Sequence, residues 1–367
     1  MTAILPQHIA IICSRLDLPG GIERAIINLA NLLKEKAHEV TLIILDETKE
    51  SFYPITPGIK IIQHPLFFGI TDRGNILTKK SALIADTLKL KKILRDINPD
   101  LIITTEYPFA IAAILSGARK ISKVISWEHH HFYELKRSFT WEKLFHLAYP
   151  RLDAVVCLNN DEKNIYTKIN PRSLVIPNFI FQGPGKAALE NKLILTIARL
   201  THIKGIDLLL QTARLILQKH SDWKWKILGD GEMKNEVEDF IQKESLGNNL
   251  VIQNPVHHNI QHEYLESSMF VMTSRNECFP MTLLEAMSYG VPCIAINCET
   301  GPRHIIRPNE DGILVEKEKP VKLAEAISLL INDEERRKKM GEAATRNIQR
   351  FSREKIYGLW EGLIMVE

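Results

Sequence analysis

The chain has no long apolar run. No stretch approaches the roughly 18 apolar residues that cross a bilayer, and Met1 to Gln7 lacks the basic and apolar regions of a signal peptide, so the sequence predicts a cytoplasmic protein. Cysteine is scarce: Cys13, Cys157, Cys278, Cys293 and Cys298 are an odd number without a C-x-x-C pair, which argues against a disulfide framework or a zinc knuckle and leaves most of them as small buried hydrophobes. Excess charge of one sign is also lacking. Forty-seven Lys and Arg stand against 44 Asp and Glu, a net of +3, so nucleic acid is not an expected partner. There is no G-x-G-x-x-G, no His-Glu-x-x-His, and no repeat at the short periods of solenoids or propellers.

What is present is a 367-residue chain with 45% hydrophobic and 25% charged residues, the composition of a soluble globular protein too long for one ordinary core. Short apolar runs alternate with amphipathic stretches, beginning with strand His8 to Cys13, helix Ile22 to Lys36 and strand Glu39 to Leu45. This is the βαβ rhythm of parallel sheets. Further strands are predicted at Leu101 to Thr105, Lys123 to Trp127 and Ala154 to Leu158, and helices over Asn75 to Asp96, Pro108 to Gly117, Thr140 to Tyr149 and Glu162 to Ile169. A Pro- and Gly-rich segment, Pro177 to Gly185, reads as a linker. Beyond it the rhythm restarts, with strands at Leu193 to Ile197, Lys224 to Leu228, Leu250 to Gln253, Met269 to Thr273 and Pro292 to Ile296. Helices are expected over Gly205 to Lys219, over Met233 to Glu244, from Met281, and in three stretches after Lys319. The pattern predicts an α/β protein of two Rossmann-like, doubly wound domains. In open sheets of this kind ligands sit beyond the carboxyl ends of the strands, so two such domains facing each other would hold a ligand in a central cleft.

Ser274 to Pro292 carries the strongest chemical signal. Phe279 and Pro280 interrupt regular structure, and Met281 to Tyr289 has the composition of a helix ending at Gly290. Glu277 then lies in the preceding loop and Glu285 in the second turn. Ionised carboxylates accept hydrogen bonds from hydroxyls, while the helix start between them offers unpaired N–H groups to a phosphate. Two Glu at this spacing are ordinarily just solvated, so the neighbours decide. Arg199 and Lys204 occupy the loop after the second half's first strand, a pair suited to a departing diphosphate: a guanidinium that makes forked bonds to phosphate and a mobile ammonium. Gly20 and Gly21 lead into a helix and would let a phosphate dock, although an ordinary βα turn looks the same. The glycines of Gly229-Asp230-Gly231 would let backbone approach a nucleotide. Glu128-His129-His130-His131 follows a strand, and alternation would project His129 and His131 to one face. Neither this run nor His258 with His262 completes a recognisable ligand pattern, so no metal is expected, and one cleft histidine acting through hydrogen bonds is preferred.

In order along the chain, Gly20-Gly21-x-Glu23, Glu128-His129, Ile176-Pro177-Asn178, Arg199 with Lys204-Gly205, Gly229-Asp230-Gly231, and the Glu277 to Glu285 pair followed by Gly290-x-Pro292 resemble the retaining glycosyltransferases of family 4, which have the GT-B fold. The resemblance spans almost the whole chain, and Trp127-Glu128-His129 with Thr300-Gly301-Pro302 looks most like members that build bacterial surface glycans from uridine diphosphate sugars. It implies an acceptor-binding domain over residues 1–182, a donor-binding domain over 183–350, and a final helix within 351–367 packing back on the first domain. It further implies that Glu285 binds the ribose, Arg199 and Lys204 the diphosphate, and Glu277 the donor sugar. Main chain around Cys278, Phe279, Pro280, Met281 and Thr282 would contact sugar or phosphate, with Gly20 and Gly21 completing the phosphate site and His129 near the reacting centre. Gly229 and the segment at Asn254 and Val256 would serve the nucleotide. Such enzymes need neither metal nor other cofactor, because Arg, Lys and a helix dipole replace the divalent ion. Two departures stand out: Cys278 follows the first Glu where the family usually has glycine, which bears on sugar identity, and Ala198 precedes the Arg where glycine is frequent.

The implied reaction moves a hexose or N-acetylhexosamine from a uridine diphosphate sugar to a glycan or lipid-linked glycan hydroxyl. Because no carboxylate is clearly placed as a nucleophile, attack from the face of departure is expected. The competing readings are an epimerase or phosphorylase of the same fold, the latter recognisable by the visible absorbance of a lysine-bound pyridoxal group, and a non-catalytic glycan-binding protein. Residues 1–182 carry 23 basic and 18 acidic side chains, a net of +5, with Lys79, Lys80, Lys89, Lys91, Lys92 and Arg95 on one helical stretch. That excess suits an anionic acceptor or peripheral attachment to a membrane surface, although a solvated helix face has the same composition.

Overall fold

Strands such as Ile9 to Cys13 and Phe270 to Met272 are apolar at every position because a parallel sheet is covered on both faces, and burial follows that pattern residue by residue. In the computed structural model, which describes residues 6–46, 50–68, 76–181, 183, 185–255 and 259–365, the described chain forms two all-parallel sheets. The first contains β1 (His8–Cys13), β2 (Glu39–Ile44), β3 (Lys60–Gln63), β4 (Leu101–Thr104), β5 (Lys123–Glu128), β6 (Ala154–Cys157) and β7 (Ser173–Val175) in the order β3-β2-β1-β4-β5-β6-β7. The second contains β8 (Leu193–Ile197), β9 (Lys224–Leu228), β10 (Leu250–Gln253), β11 (Met269–Met272), β12 (Cys293–Ile296) and β13 (Gly312–Val315) in the order β10-β9-β8-β11-β12-β13. Each sheet is doubly wound. The winding reverses between β1 and β4 in the first and between β8 and β11 in the second, where Met269 pairs with Ile194 and Phe270 with Leu195.

The chain divides into two compact units, Met1–Pro177 with Ile356–Glu367, and Asn178–Lys355. In the first, the closing helix Arg353–Met365 brings Trp360 edge-on to Trp127 at 5.3 Å between ring centroids, and Tyr357 within 3.3 Å of His38 Nε2. In the second, Ile194, Leu209, Trp225 and Val271 sit at the core between the sheet and its helices.

The sequence expectation omits β3, β7 and β13, each at or near a sheet edge and only three or four residues long. β3 is largely exposed, with Ile61 half accessible, so it lacks the continuous apolar run by which buried strands are read. Helices Ile260–Glu266 and Pro302–Ile305 are likewise absent from it, being shorter than the span over which a 3.6-residue period can be established. Asn75, Gln182, Pro184, Val256 and His258 lie outside the described residues. No described helix is long and apolar enough to cross a membrane.

Candidate active site

The switch point of the second sheet sets β8 beside β11, so the loops that follow these strands meet at their carboxyl ends. After β8 the chain runs through Arg199 into a 3₁₀ turn, His202–Lys204, and closes it with Gly205 in the left-handed region (φ 67°) before helix Ile206–Lys219. Glycine is required twice over. A Cβ at 205 would stand 2.1 Å from the carbonyl oxygen of Thr273, at the end of β11. Thr273 Oγ1 donates to the carbonyl of Lys204 at 2.9 Å, so the two loops are tied through main chain.

Across that tie Lys204 Nζ donates to Glu277 Oε1 at 2.6 Å, with both side chains largely shielded from solvent. Ser274 Oγ donates to the same oxygen at 2.7 Å, and Thr300 Oγ1 holds the Glu277 carbonyl at 2.6 Å. Gly301 (φ 70°) lies so close beneath that a Cβ there would come within 2.6 Å of the Glu277 carbonyl oxygen. Arg275 binds the same two loops together from one side. Its Nη1 and Nη2 donate to Asp207 at 2.6 and 2.8 Å, its Nε and Nη2 to Glu318 at 2.8 and 3.0 Å, and Nη1 also to the carbonyl of His202 at 2.8 Å. Hydrogen bonding to the Arg275 fork is the main reason the Asp207 carboxyl lies below the usual range, and the guanidinium is raised in turn.

Beyond Glu277 the loop is packed. Cys278, Phe279, Pro280 and Met281 are buried, and Phe279 sits edge-on to Phe351 at 5.3 Å. Their side chains face neighbours, so what this stretch can offer a ligand is main-chain N–H, at the start of helix Met281–Ser288, with Thr282 partly exposed. Glu285 lies in the second turn, buried, and accepts a 2.7 Å bond from Tyr264 on its Oε2. Arg199 is exposed, and its side chain has no hydrogen bond or ion pair with the described residues. Lys204 is therefore neutralised by Glu277 in this state.

The Gly229-Asp230-Gly231 turn has another reason for its glycines. A Cβ at 229 would lie 2.0 Å from the Ala198 carbonyl oxygen, and one at 231 would lie 2.6 Å from that of Leu200. Close approach to the Arg199 loop, within the protein, explains both residues without any ligand. Asn254 Oδ1 accepts from Lys234 Nζ at 2.8 Å. Val256 is outside the described residues.

In the first unit, Gly20 caps helix Gly21–Glu35, and a Cβ at 20 would be 2.0 Å from Glu23 Oε2. The carboxylate of Glu23 thus folds over the helix start. At the carboxyl end of β4 beside it, Glu106 is pushed up to about 7, first by burial and then by the charges of Glu128 and Glu23.

β5 ends at Glu128, so strict alternation does not run on through the three histidines, and their surroundings diverge. Glu128 is buried and bonded by Ser126, Tyr149 and Tyr166. His130 is exposed, and His131 pairs with buried Glu162. His129 is buried with its ring 4.2 Å from that of Trp127, and its Nε2 has no partner among the described residues. Burial, followed by the charge of His130, lowers its pKa to about 3. Its imidazole is therefore neutral. No group of three or more His, Cys, Asp or Glu among the described residues could hold a metal ion.

The profile described as Glycosyltransferase Family 4 matches residues 19–180, and that described as Glycosyl transferases group 1 matches residues 180–347. The chain belongs to glycosyltransferase family 4. An uncharacterized glycosyltransferase of Haemophilus influenzae is 27% identical over 94% of this chain and 96% of its own length. A Campylobacter jejuni alpha-1,4-N-acetyl-D-galactosaminyltransferase, named for an undecaprenol-diphosphate-linked glycan, is 29% identical over 94% of this chain and 95% of its own. In fold, the family 4 chain is similar to a crystal structure of a Staphylococcus aureus TarM mutant with Fondaparinux, alpha-GlcNAc-glycerol and UDP, with a TM-score of 0.79 at 16% identity over 98% of this chain and 100% of the other. This family 4 enzyme has the GT-B fold and is a glycosyltransferase that takes its sugar from a nucleotide sugar. Arg275, Asp207, Ser274 and Tyr264, which the sequence reading gives no role, hold the charged loops in place. Asp207 follows Lys204-Gly205 by two residues, and an acid so near a predicted cation was the available signal.

Proposed function

We propose that this protein transfers a hexose or N-acetylhexosamine from a uridine diphosphate sugar to a hydroxyl of a glycan or lipid-linked glycan, with retention at the anomeric carbon, in assembly of a bacterial glycoconjugate. The observation that supports it most is the Lys204–Glu277 contact at the β8/β11 switch point, with Arg199 exposed in the same loop as Lys204 and Glu285 one helix turn into Met281–Ser288. UDP in the TarM complex and the lipid-linked glycan in the Campylobacter relative's name favour the same donor and acceptor classes.

In this reading Arg199 and Lys204 take the diphosphate, the amides from Cys278 to Thr282 contact sugar or phosphate, Glu277 takes the sugar hydroxyls, and Glu285 the ribose diol. Tyr264 bonds one Glu285 oxygen and so orients the carboxylate. Gly229 and the segment beginning at Asn254 serve the nucleotide. The bond from the anomeric carbon to the phosphate oxygen breaks as the acceptor oxygen bonds to that carbon on the same face. The acceptor's proton passes to the leaving phosphate, and UDP departs. The enzyme works at the inner face of the cell membrane, where a lipid-linked acceptor would be presented.

A panel of nucleotide sugars tests this. A donor at a hundred times its dissociation constant stabilises the protein by about 2.7 kcal/mol. UDP-linked sugars are expected to raise the melting temperature and to release UDP when acceptor is supplied. Stabilisation by guanosine or adenosine diphosphate sugars alone overturns the donor, and stabilisation without UDP release overturns catalysis.

A further inference from the structure

Strands β9 and β10 end in step: Gln253 pairs with Leu228, and the amide of Gly229 donates to the Gln253 carbonyl at 2.9 Å. Gly229 and Asn254, the residues that follow, therefore leave the sheet side by side at its carboxyl end. Helix Lys234–Lys243 starts just after the Gly229-Asp230-Gly231 turn, and its first residue reaches across both loops. Lys234 Nζ donates to Asn254 Oδ1 at 2.8 Å and stands 3.8 Å from Asp230 Oδ1, which accepts from the amide of Gly231 at 3.0 Å.

A hydrogen bond between two surface side chains adds little to stability, but this one fixes a direction. An ammonium carries donors and no acceptor, so the oxygen of the Asn254 amide has to face it. The amide nitrogen is turned away from Lys234 in consequence. Asn254 is exposed, and its Nδ2 has no hydrogen bond with the described residues. An unrestrained amide can turn over and offer oxygen or nitrogen to a ligand; held by Lys234, this one offers donors.

We propose that Asn254 selects the base of the nucleotide, with Nδ2 donating to O4 of uracil, and that Lys234 is the positioning residue that fixes the amide. Cytosine carries an amino group where uracil carries O4, so it would set a donor against a donor. The two pyrimidines are alike in size and in O2, and this edge is what separates them. The inference rests on the reading that the segment beginning at Asn254 serves the nucleotide, and it adds a chemical reason for uridine over cytidine.

Calorimetric titration of the full chain with UDP and with CDP tests it. The parent is expected to bind UDP about tenfold or more tighter than CDP, because opposed donors lose a hydrogen bond and leave desolvated polar groups unpaired. Lys234→Met lets the amide turn over, and the ratio should shrink to about threefold or less. Asn254→Asp presents acceptors alone, so the preference should reverse in favour of CDP, an outcome that a merely structural asparagine would not produce. Equal binding of UDP and CDP by the parent overturns the proposal; if Arg199→Ala then weakens both, the diphosphate site stands without it. A parent that binds neither nucleotide overturns the diphosphate reading and this inference together. Folded Lys234→Met and Asn254→Asp proteins that keep the parent's ratio also overturn it. Should circular dichroism show either to be misfolded, Asn254→Ala is read in its place, where a lost preference supports the proposal and a retained one overturns it.

Discussion

Replacing Gly205 with alanine separates two effects that a glycine can have. The left-handed backbone (φ 67°) makes any L side chain unfavourable by about 1 to 2 kcal/mol. In addition, the new Cβ would stand 2.1 Å from the Thr273 carbonyl oxygen, well inside contact distance, and that oxygen belongs to main chain at the end of β11. Relief requires the His202–Lys204 turn and the β11 end to part by about an ångström, and overpacking of this kind adds about 1 to 3 kcal/mol. Together these predict a loss of roughly 2 to 5 kcal/mol in the second unit. The same movement pulls Lys204 from Glu277, so turnover should fall on the order of a hundredfold. Gly117→Ala is the control. It too is left-handed (φ 79°), yet a Cβ there meets nothing within 4 Å, so only the backbone penalty applies and activity should be kept. Urea unfolding of each variant, read on the transition of the unit that carries the change, and UDP release under saturating donor measure the two effects. Equal stability losses in the two variants, with activity intact in Gly205→Ala, would refute the close-approach argument.

Glu106 predicts a pH dependence. Its carboxyl is raised from 4.5 to about 7 in the folded chain, so it favours folding fully below pH 4.5, and this contribution is lost as pH rises to 7. At 1.36 kcal/mol per unit, Glu106→Gln should gain roughly 3 kcal/mol on the parent between pH 4 and pH 8, measured by denaturant unfolding, and a flat difference contradicts the burial. Arg275→Ala should lower kcat by about a hundredfold through loosening of the loops it ties, and Arg275→Lys by about tenfold because an ammonium cannot serve both carboxylates; kcat within twofold for both makes the arginine mere surface charge.

The fold was legible because buried parallel strands advertise themselves. Ile9 to Cys13 is an uninterrupted apolar run and Leu193 to Ile197 is broken only by Thr196, each followed by a helical period, whereas edge strand Lys60–Gln63, with little to bury, carries no such mark. At the site the charged residues could be named because an Arg, a Lys or a Glu after a strand has few reasons to be there. Their coupling could not. That Lys204 meets Glu277, 73 positions on, follows from strand order at the switch point, which sequence periodicity does not contain. Gly229 carries a second requirement that the sequence does not show, since a Cβ there would stand 2.0 Å from the Ala198 carbonyl oxygen. The alternation assigned to His129 and His131 depended on β5 continuing, and it ends at Glu128.

The account stands most directly on whether the loops after β8 and β11 and the helix Met281–Ser288 bind a uridine diphosphate. Calorimetric titration of UDP into the parent, Arg199→Ala and Glu285→Gln measures that. Saturable one-to-one binding by the parent is predicted, weakened about tenfold or more by either change as a charge-assisted hydrogen bond is lost. A parent that ignores UDP, or variants that bind it as the parent does, would contradict the assignment of this site.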